Sequence, residues 1–174
     1  SSLAVLKILN LDVKKILNSL ELAKPLDGRG KIFKINRYNT SFQLIDESYN
    51  ANPLSVKNAI VNLSKIKKRN FKKYILLGDM LELGNKSDFY HRKLSKIINN
   101  TDIDKVFVYG NNVLNTFKHT KKNKKGNILQ HLNDFDKVFS KIIKKNDYLM
   151  IKGSNATGLN GLSRNLTKGG VSAF

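Results

Sequence analysis

The sequence predicts a Rossmann-like, three-layer α/β domain with a mostly parallel sheet, and three observations predict it. First, Tyr74-Ile-Leu-Leu77, Val106-Phe-Val-Tyr109 and Tyr148-Leu-Met-Ile151 are continuous apolar runs, as strands buried on both faces are. Second, stretches with apolar residues at helical spacing separate them, which implies parallel pairing through right-handed crossovers. Third, each run gives way to glycine or lysine and a polar turn. In open α/β sheets ligands bind outside the carboxyl ends of the strands, so that edge is where function is expected.

The elements follow in order. Leu3 to Leu9 and Val13 to Leu22 carry apolar residues at helical spacing, with Asp12 a candidate N-cap for the second piece. Lys24-Pro-Leu-Asp-Gly-Arg-Gly30 breaks this pattern and is the candidate linker. Ile32–Ile35 and Phe42–Ile45, separated by Asn36 to Thr40, suggest a hairpin. Two carboxylates and a polar turn follow, and Pro53 opens a helix with Leu54, Val56, Ala59, Ile60, Leu63 and Ile66 in register. Tyr74–Leu77 leads to Gly78-Asp79-Met80 and a helix from about Ser87 to Ile98; Val106–Tyr109 leads to a short helix, Val113 to Phe117. Lys118 to Asn127 is expected to be a solvated, mobile basic loop, and Ile128 to Leu132 a further strand. Asn133 or Asp134 caps a helix from Phe135 to Ile143, and the strand Tyr148–Ile151 runs into Lys152-Gly-Ser-Asn155 and a final helix to about Leu166.

Composition bounds the function. A chain of 174 residues holds one good core. No apolar run approaches the roughly 20 residues of a membrane span. The first residues lack the basic flank of a signal peptide, and there is no cysteine, so a cytoplasmic location is expected. The net charge of +19 suggests nucleic acid, but the lysines are spread over many surfaces without a helix-turn-helix or RNA-binding signature. A solvated basic face fits better than specific nucleic-acid binding. His91, His119 and His131 lie on different elements without metal-ligand spacing, so no metal site is expected, and no phosphate-binding glycine loop is present.

The strand ends bring together Asp46, Glu47, Asn50 and Asn52, then Gly78, Asp79 and Glu82, then Lys152, Gly153 and Ser154. Each has an ordinary alternative. Asp, Asn and Pro make turns; Ser154 or Asn155 suits the cap of the last helix, and Asp79 a cap of the turn before Met80. Convergence on one edge favours binding.

Ile45-Asp-Glu-Ser-Tyr-Asn-Ala-Asn-Pro53, Leu77-Gly-Asp-Met-Leu-Glu-Leu-Gly84, His91 and Ile151-Lys-Gly-Ser154 together resemble the C-terminal domain of the Mur ligases, specifically the branch adding D-Ala-D-Ala to UDP-MurNAc-tripeptide. Pro25-Leu-Asp-Gly-Arg-Gly30 is similar to the family's hinge. The resemblance implies helices of a preceding domain in residues 1–27 and the ligase C-terminal domain in 28–174. It implies ATP-dependent formation of an amide through an acyl phosphate, with Mg²⁺ and the phosphate loop supplied by the rest of the ligase chain. Arg29, Asp46, Glu47, Asn50 and Asn52 are then expected around ATP, with either carboxylate on the ribose, and Asp79, Lys152 and Ser154 towards the acceptor. On this reading the chain is the C-terminal piece of a longer, monomeric ligase and holds no complete catalytic centre.

Overall fold

The computed structural model describes residues 5, 7–10, 26–67, 70–168 and 171–172. The expected helix Val13 to Leu22 and its Asp12 cap lie outside the described residues. Of the helix Leu3 to Leu9 only part is described, with Leu9 N–H donating to the Val5 carbonyl at 3.0 Å.

Seven strands form one sheet in the order β5-β4-β3-β6-β2-β1-β7. β1 (Lys31–Arg37) and β2 (Thr40–Glu47) are the expected hairpin, antiparallel from Lys31↔Asp46 to Arg37↔Thr40. Tyr38 and Asn39 take positive φ at its tip, as a two-residue hairpin turn requires. β2, β6 (Tyr148–Lys152), β3 (Lys73–Gly78), β4 (Lys105–Tyr109) and β5 (Lys125–Ile128) run parallel. The short β7 (Val171–Ser172) pairs with β1 antiparallel.

The connections are α1 (Pro53–Lys65), α2 (Ser87–Asn99), α3 (Leu114–His119), α4 (Asp134–Ile142) and α5 (Leu159–Thr167). From β3 the chain steps outward to β4 and β5, then returns to place β6 between β3 and β2. Right-handed crossovers in opposite directions must lie on opposite faces. The two core clusters agree. One joins Val56, Ile60 and Leu63 of α1 and Leu94 and Ile98 of α2 to Ile45, Ile75, Leu77, Val108 and Met150. The other joins Phe135 and Phe139 of α4 and Leu159 and Leu166 of α5 to Leu44, Leu76, Phe107, Leu149 and Ile151. Alternation along each strand therefore fills both faces. The third layer is thus accounted for.

Four details depart from the sequence reading. Leu54 is 65% exposed, because the buried stripe of α1 begins two residues later, at Val56. Lys73 lies inside β3 and is fully buried, its ammonium held by Asp102 at 2.7 Å and the Ser64 carbonyl at 2.9 Å. The edge strand is Lys125–Ile128 rather than Ile128 to Leu132. It pairs on one side only, and Gly126 lets it lie against Phe107, whose ring a Cβ would meet at 2.5 Å. An edge strand needs no apolar run, so its polar sequence concealed it. The segment before it is also tied down: Lys124 Nζ donates to the carbonyls of Thr101 and Ile103 at 2.5 and 2.8 Å.

Candidate functional site

The carboxyl edge of β2, β3 and β6 is laced together by its own polar residues. β2 ends Ile45-Asp46-Glu47, and the period of two turns Glu47 to the α1 face beside Ile45. In β6, Met150 faces α1, so Lys152 does too, and the register pairs Glu47 with Lys152 directly. The Lys152 ammonium donates to the Asn50 carbonyl at 2.9 Å, to the Glu47 carbonyl at 3.3 Å and to Glu47 Oε2 at 3.4 Å. Lys152 is buried, whereas the Glu47 side chain is 26% exposed. Burial pushes the Lys152 pKa below the ordinary lysine value, and the Glu47 carboxylate pulls it part of the way back.

Asp46 is turned to the other side and is also buried. Its Oδ2 accepts the Gly28 N–H at 3.1 Å, and its Oδ1 accepts the Ser48 N–H at 3.2 Å and the Ser48 hydroxyl at 2.6 Å. Two backbone bonds complete the tie: Gly30 N–H to the Asp46 carbonyl at 2.8 Å, and Tyr49 N–H to the Gly28 carbonyl at 3.1 Å. Gly28 has φ +74°, and a Cβ there would sit 2.7 Å from Tyr49 Cβ. The exposed Arg29 guanidinium stacks over the Tyr49 ring, 4.5 Å from its centroid. The Asp27–Gly30 turn and the turn after β2 are therefore one unit.

Asn52 is the N-cap of α1, its Oδ1 accepting the Ser55 N–H at 2.8 Å while Ser55 Oγ accepts the Asn52 N–H at 3.1 Å. That capping box is a recognised helix start. Asn50 accepts the Ala51 N–H on its side-chain oxygen at 2.8 Å. Ser154 does not cap a helix: its hydroxyl accepts the Leu81 N–H at 3.0 Å, and its N–H donates to the Asp79 carbonyl at 3.0 Å. Asp79 does not cap its own turn either. Its two oxygens accept the N–H groups of Asn111 and Val113 at 3.1 and 2.7 Å, tying the β4 loop to the β3 loop. His91, fully buried, accepts the Met80 N–H on Nε2 at 3.0 Å, with Nδ1 2.9 Å from the Ser87 carbonyl. These partners fix the tautomer with the proton on Nδ1.

The expected residues thus divide in two. Asp46, Asp79, Lys152 and Ser154 spend their polar side-chain atoms holding the edge in shape. Arg29, Glu47, Asn50 and Asn52 hold the same edge but keep side-chain polar groups open to a ligand. Tyr49 joins them, 47% exposed; an aromatic inside a polar turn was the signal for it.

Two hollows lie on this edge. One, ≈ 400 Å³, is lined by Tyr49, Asn50, Leu81, Glu82, Ser154, Asn155 and Ala156. The other, ≈ 380 Å³, lies between the β3, β4 and β6 loops and includes Asp79, Asn111 and Thr157. Neither is lined by lysine or arginine, although the chain carries 32 of them. Among the described residues no three His, Asp or Glu side chains converge as metal ligands. The described residues therefore offer no dedicated ligand set for the Mg²⁺ that the resemblance implies.

The three-layer α/β domain with this carboxyl edge matches the C-terminal domain of a family of ligases. The chain belongs to that family: the profile described as "Mur ligase, glutamate ligase domain" matches residues 30–155. The chain is 29% identical over 161 residues to the UDP-N-acetylmuramoyl-tripeptide–D-alanyl-D-alanine ligase of Bacillus subtilis, covering 87% of this chain and 34% of the relative. It is 32% identical over 131 residues to the enzyme of that name from Buchnera aphidicola of Acyrthosiphon pisum, covering 72% of the chain and 27% of the relative. Among solved structures it resembles a MurF from Acinetobacter baumannii, with TM-score 0.77, 23% identity, and coverage of 95% of this chain and 35% of that one. The MurF ligase of Thermotoga maritima in complex with ADP gives TM-score 0.72, 23% identity, and coverage of 96% and 36%. These structures establish the fold. The chain spans about a third of the length of these relatives.

Proposed function

We propose that this chain is the ATP- and acceptor-binding portion of a cytoplasmic, monomeric ligase that joins D-Ala-D-Ala to UDP-MurNAc-tripeptide in peptidoglycan precursor synthesis. The observation that carries the reading is the turn after β2, clamped from below by Lys152 and Asp46 so that Glu47, Asn50 and Arg29 stand at the carboxyl edge. Asp46 is the poorer ribose ligand, because its carboxylate already accepts three hydrogen bonds within the fold. Glu47 is the better one: it is partly exposed and its Oε1 has no hydrogen bond among the described residues. Two ribose hydroxyls suit a carboxylate acceptor, and Asn50 supplies a side-chain N–H donor next to it. Arg29, stacked on Tyr49, presents a cation from the hinge.

The edge hollows lack cations, so this chain contributes sugar and acceptor contacts rather than a phosphate cradle. Phosphate binding, Mg²⁺ and acyl transfer are assigned to the remainder of the ligase. The lack of lysine and arginine in the two hollows argues against nucleic acid seated in them, since phosphate contacts dominate such binding.

The test is ADP release by the complete ligase in the presence of UDP-MurNAc-tripeptide and D-Ala-D-Ala. Glu47→Ala and Asn50→Ala are each expected to raise KM for ATP about tenfold, the usual cost of leaving a buried hydrogen-bond partner unmet. Unchanged KM for ATP in both variants rejects the nucleotide assignment.

A further inference from the structure

Among the described residues, Glu82 is the one rim carboxylate that the fold does not use. Asp46 and Asp79 accept backbone N–H groups, Glu47 faces Lys152, and Asp88 accepts the side-chain N–H of Asn115 at 2.6 Å. Glu82 has no hydrogen-bond or ion-pair partner among the described residues, and it lines the ≈ 400 Å³ hollow beside Asn50 and Asn155. It is also held in an unfavourable backbone conformation, with φ +61°. For a residue with a Cβ the left-handed region costs about 1–2 kcal/mol, and such strain persists only where surrounding structure enforces it. That enforcement is visible: Met80 N–H is bound by His91, Leu81 N–H by the Ser154 hydroxyl, and Lys86 N–H by the Leu83 carbonyl.

The hollow holds no lysine or arginine to neutralise this carboxylate, in a chain of net charge +19. Its natural complement is a compact cation. Asn155 adds an amide on the same wall; its oxygen accepts from Asn160, which leaves its N–H groups for a carbonyl or carboxylate. A carboxylate and an amide donor on one small hollow fit a zwitterionic amino acid or dipeptide.

We infer that Glu82 is a specificity-determining residue that binds the free ammonium of the amine substrate. The inference rests on the ligase reading above and names the group that selects the acceptor. The strained turn between Leu81 and Leu83 is what presents the carboxylate to the hollow.

The experiment compares the complete ligase with Glu82→Gln, which keeps size, and Glu82→Asn, which tolerates positive φ and so keeps the turn. KM for D-Ala-D-Ala is measured beside KM for ATP and beside Ki for D-lactoyl-D-alanine, whose hydroxyl replaces the ammonium. Loss of a charge-assisted hydrogen bond predicts a rise of about tenfold or more in KM for D-Ala-D-Ala, with KM for ATP and Ki for the neutral analogue within about twofold of wild type. Unchanged KM for D-Ala-D-Ala in both variants overturns the inference. So does a parallel rise in Ki for the neutral analogue, which assigns Glu82 to the shape of the turn. If the wild-type ligase rejects D-Ala-D-Ala but accepts another amine, the substrate reading alone fails, and the same comparison on that amine decides the role of Glu82. If no amine supports ADP release, both fall together.

Discussion

The ammonium of Lys152 lies 2.9 Å from the Asn50 carbonyl, so a buried cation at the end of β6 holds the turn that follows β2. The pair explains why a lysine is buried at the end of β6. It also sets a pH dependence. Burial lowers the folded-state pKa of Lys152 below 10.5, so in the interval between the two values the unfolded chain binds more protons than the folded one. Stability must then rise with pH through that interval. Lys152→Met removes this term along with the donor to two carbonyls, at a cost of about 1–2 kcal/mol at neutral pH. Denaturant unfolding is expected to show wild type gaining further on the variant as pH rises towards 10.5. A gap that shrinks over this range contradicts the account.

Asp46→Asn keeps the shape of the side chain and removes its charge. One oxygen becomes an N–H₂ group facing the N–H of Gly28 or of Ser48, and an unmet buried donor costs about 1–3 kcal/mol. Hydrogen exchange is expected to accelerate at the Gly28 and Ser48 amides, with smaller changes in β3 and β4. Unaltered exchange at Gly28 shows that the Asp27–Gly30 turn is held by something else.

Gly28→Ala tests the same junction from the other side. The new Cβ meets the backbone nitrogen of Tyr49 at 2.8 Å, and φ +74° is itself unfavourable. The two effects together predict a loss above about 2 kcal/mol. The stacking of Arg29 on Tyr49 is expected to go with it, read as a raised KM for ATP in the complete ligase.

His91→Phe fills the same buried space but offers no acceptor to Met80 N–H. A loss of about 1–3 kcal/mol in unfolding free energy is expected. KM for the amine substrate should also rise, because Met80 N–H anchors the turn that carries Glu82. His91→Gln, which can still accept, should recover part of both.

Much of this was legible in the residues, for identifiable reasons. The parallel strands announced themselves through apolar runs, and Pro53 marked the start of α1; the Asn52–Ser55 capping box emerged from the structure. The edge strand Lys125–Ile128 was not legible, because pairing on one side leaves its composition free. Lys73 was hidden because its partner, Asp102, is distant in sequence. At the candidate site, the residues expected on one edge do stand on one edge. The sequence did not separate those that build the edge from those that face a ligand, because capping, tying and binding use the same side-chain types. Only hydrogen-bond geometry shows that Asp79 and Ser154 tie loops, while Glu47 and Glu82 keep acceptors free.

The most direct measurement is a crystal structure of the complete ligase with a non-hydrolysable ATP analogue. The account predicts ribose hydroxyls within hydrogen-bond distance of the Glu47 carboxylate, with Asn50 and Arg29 beside the nucleotide. A nucleotide seated at the amino-terminal edge of the sheet, near Lys72 and Lys141, and touching none of these three residues would contradict it.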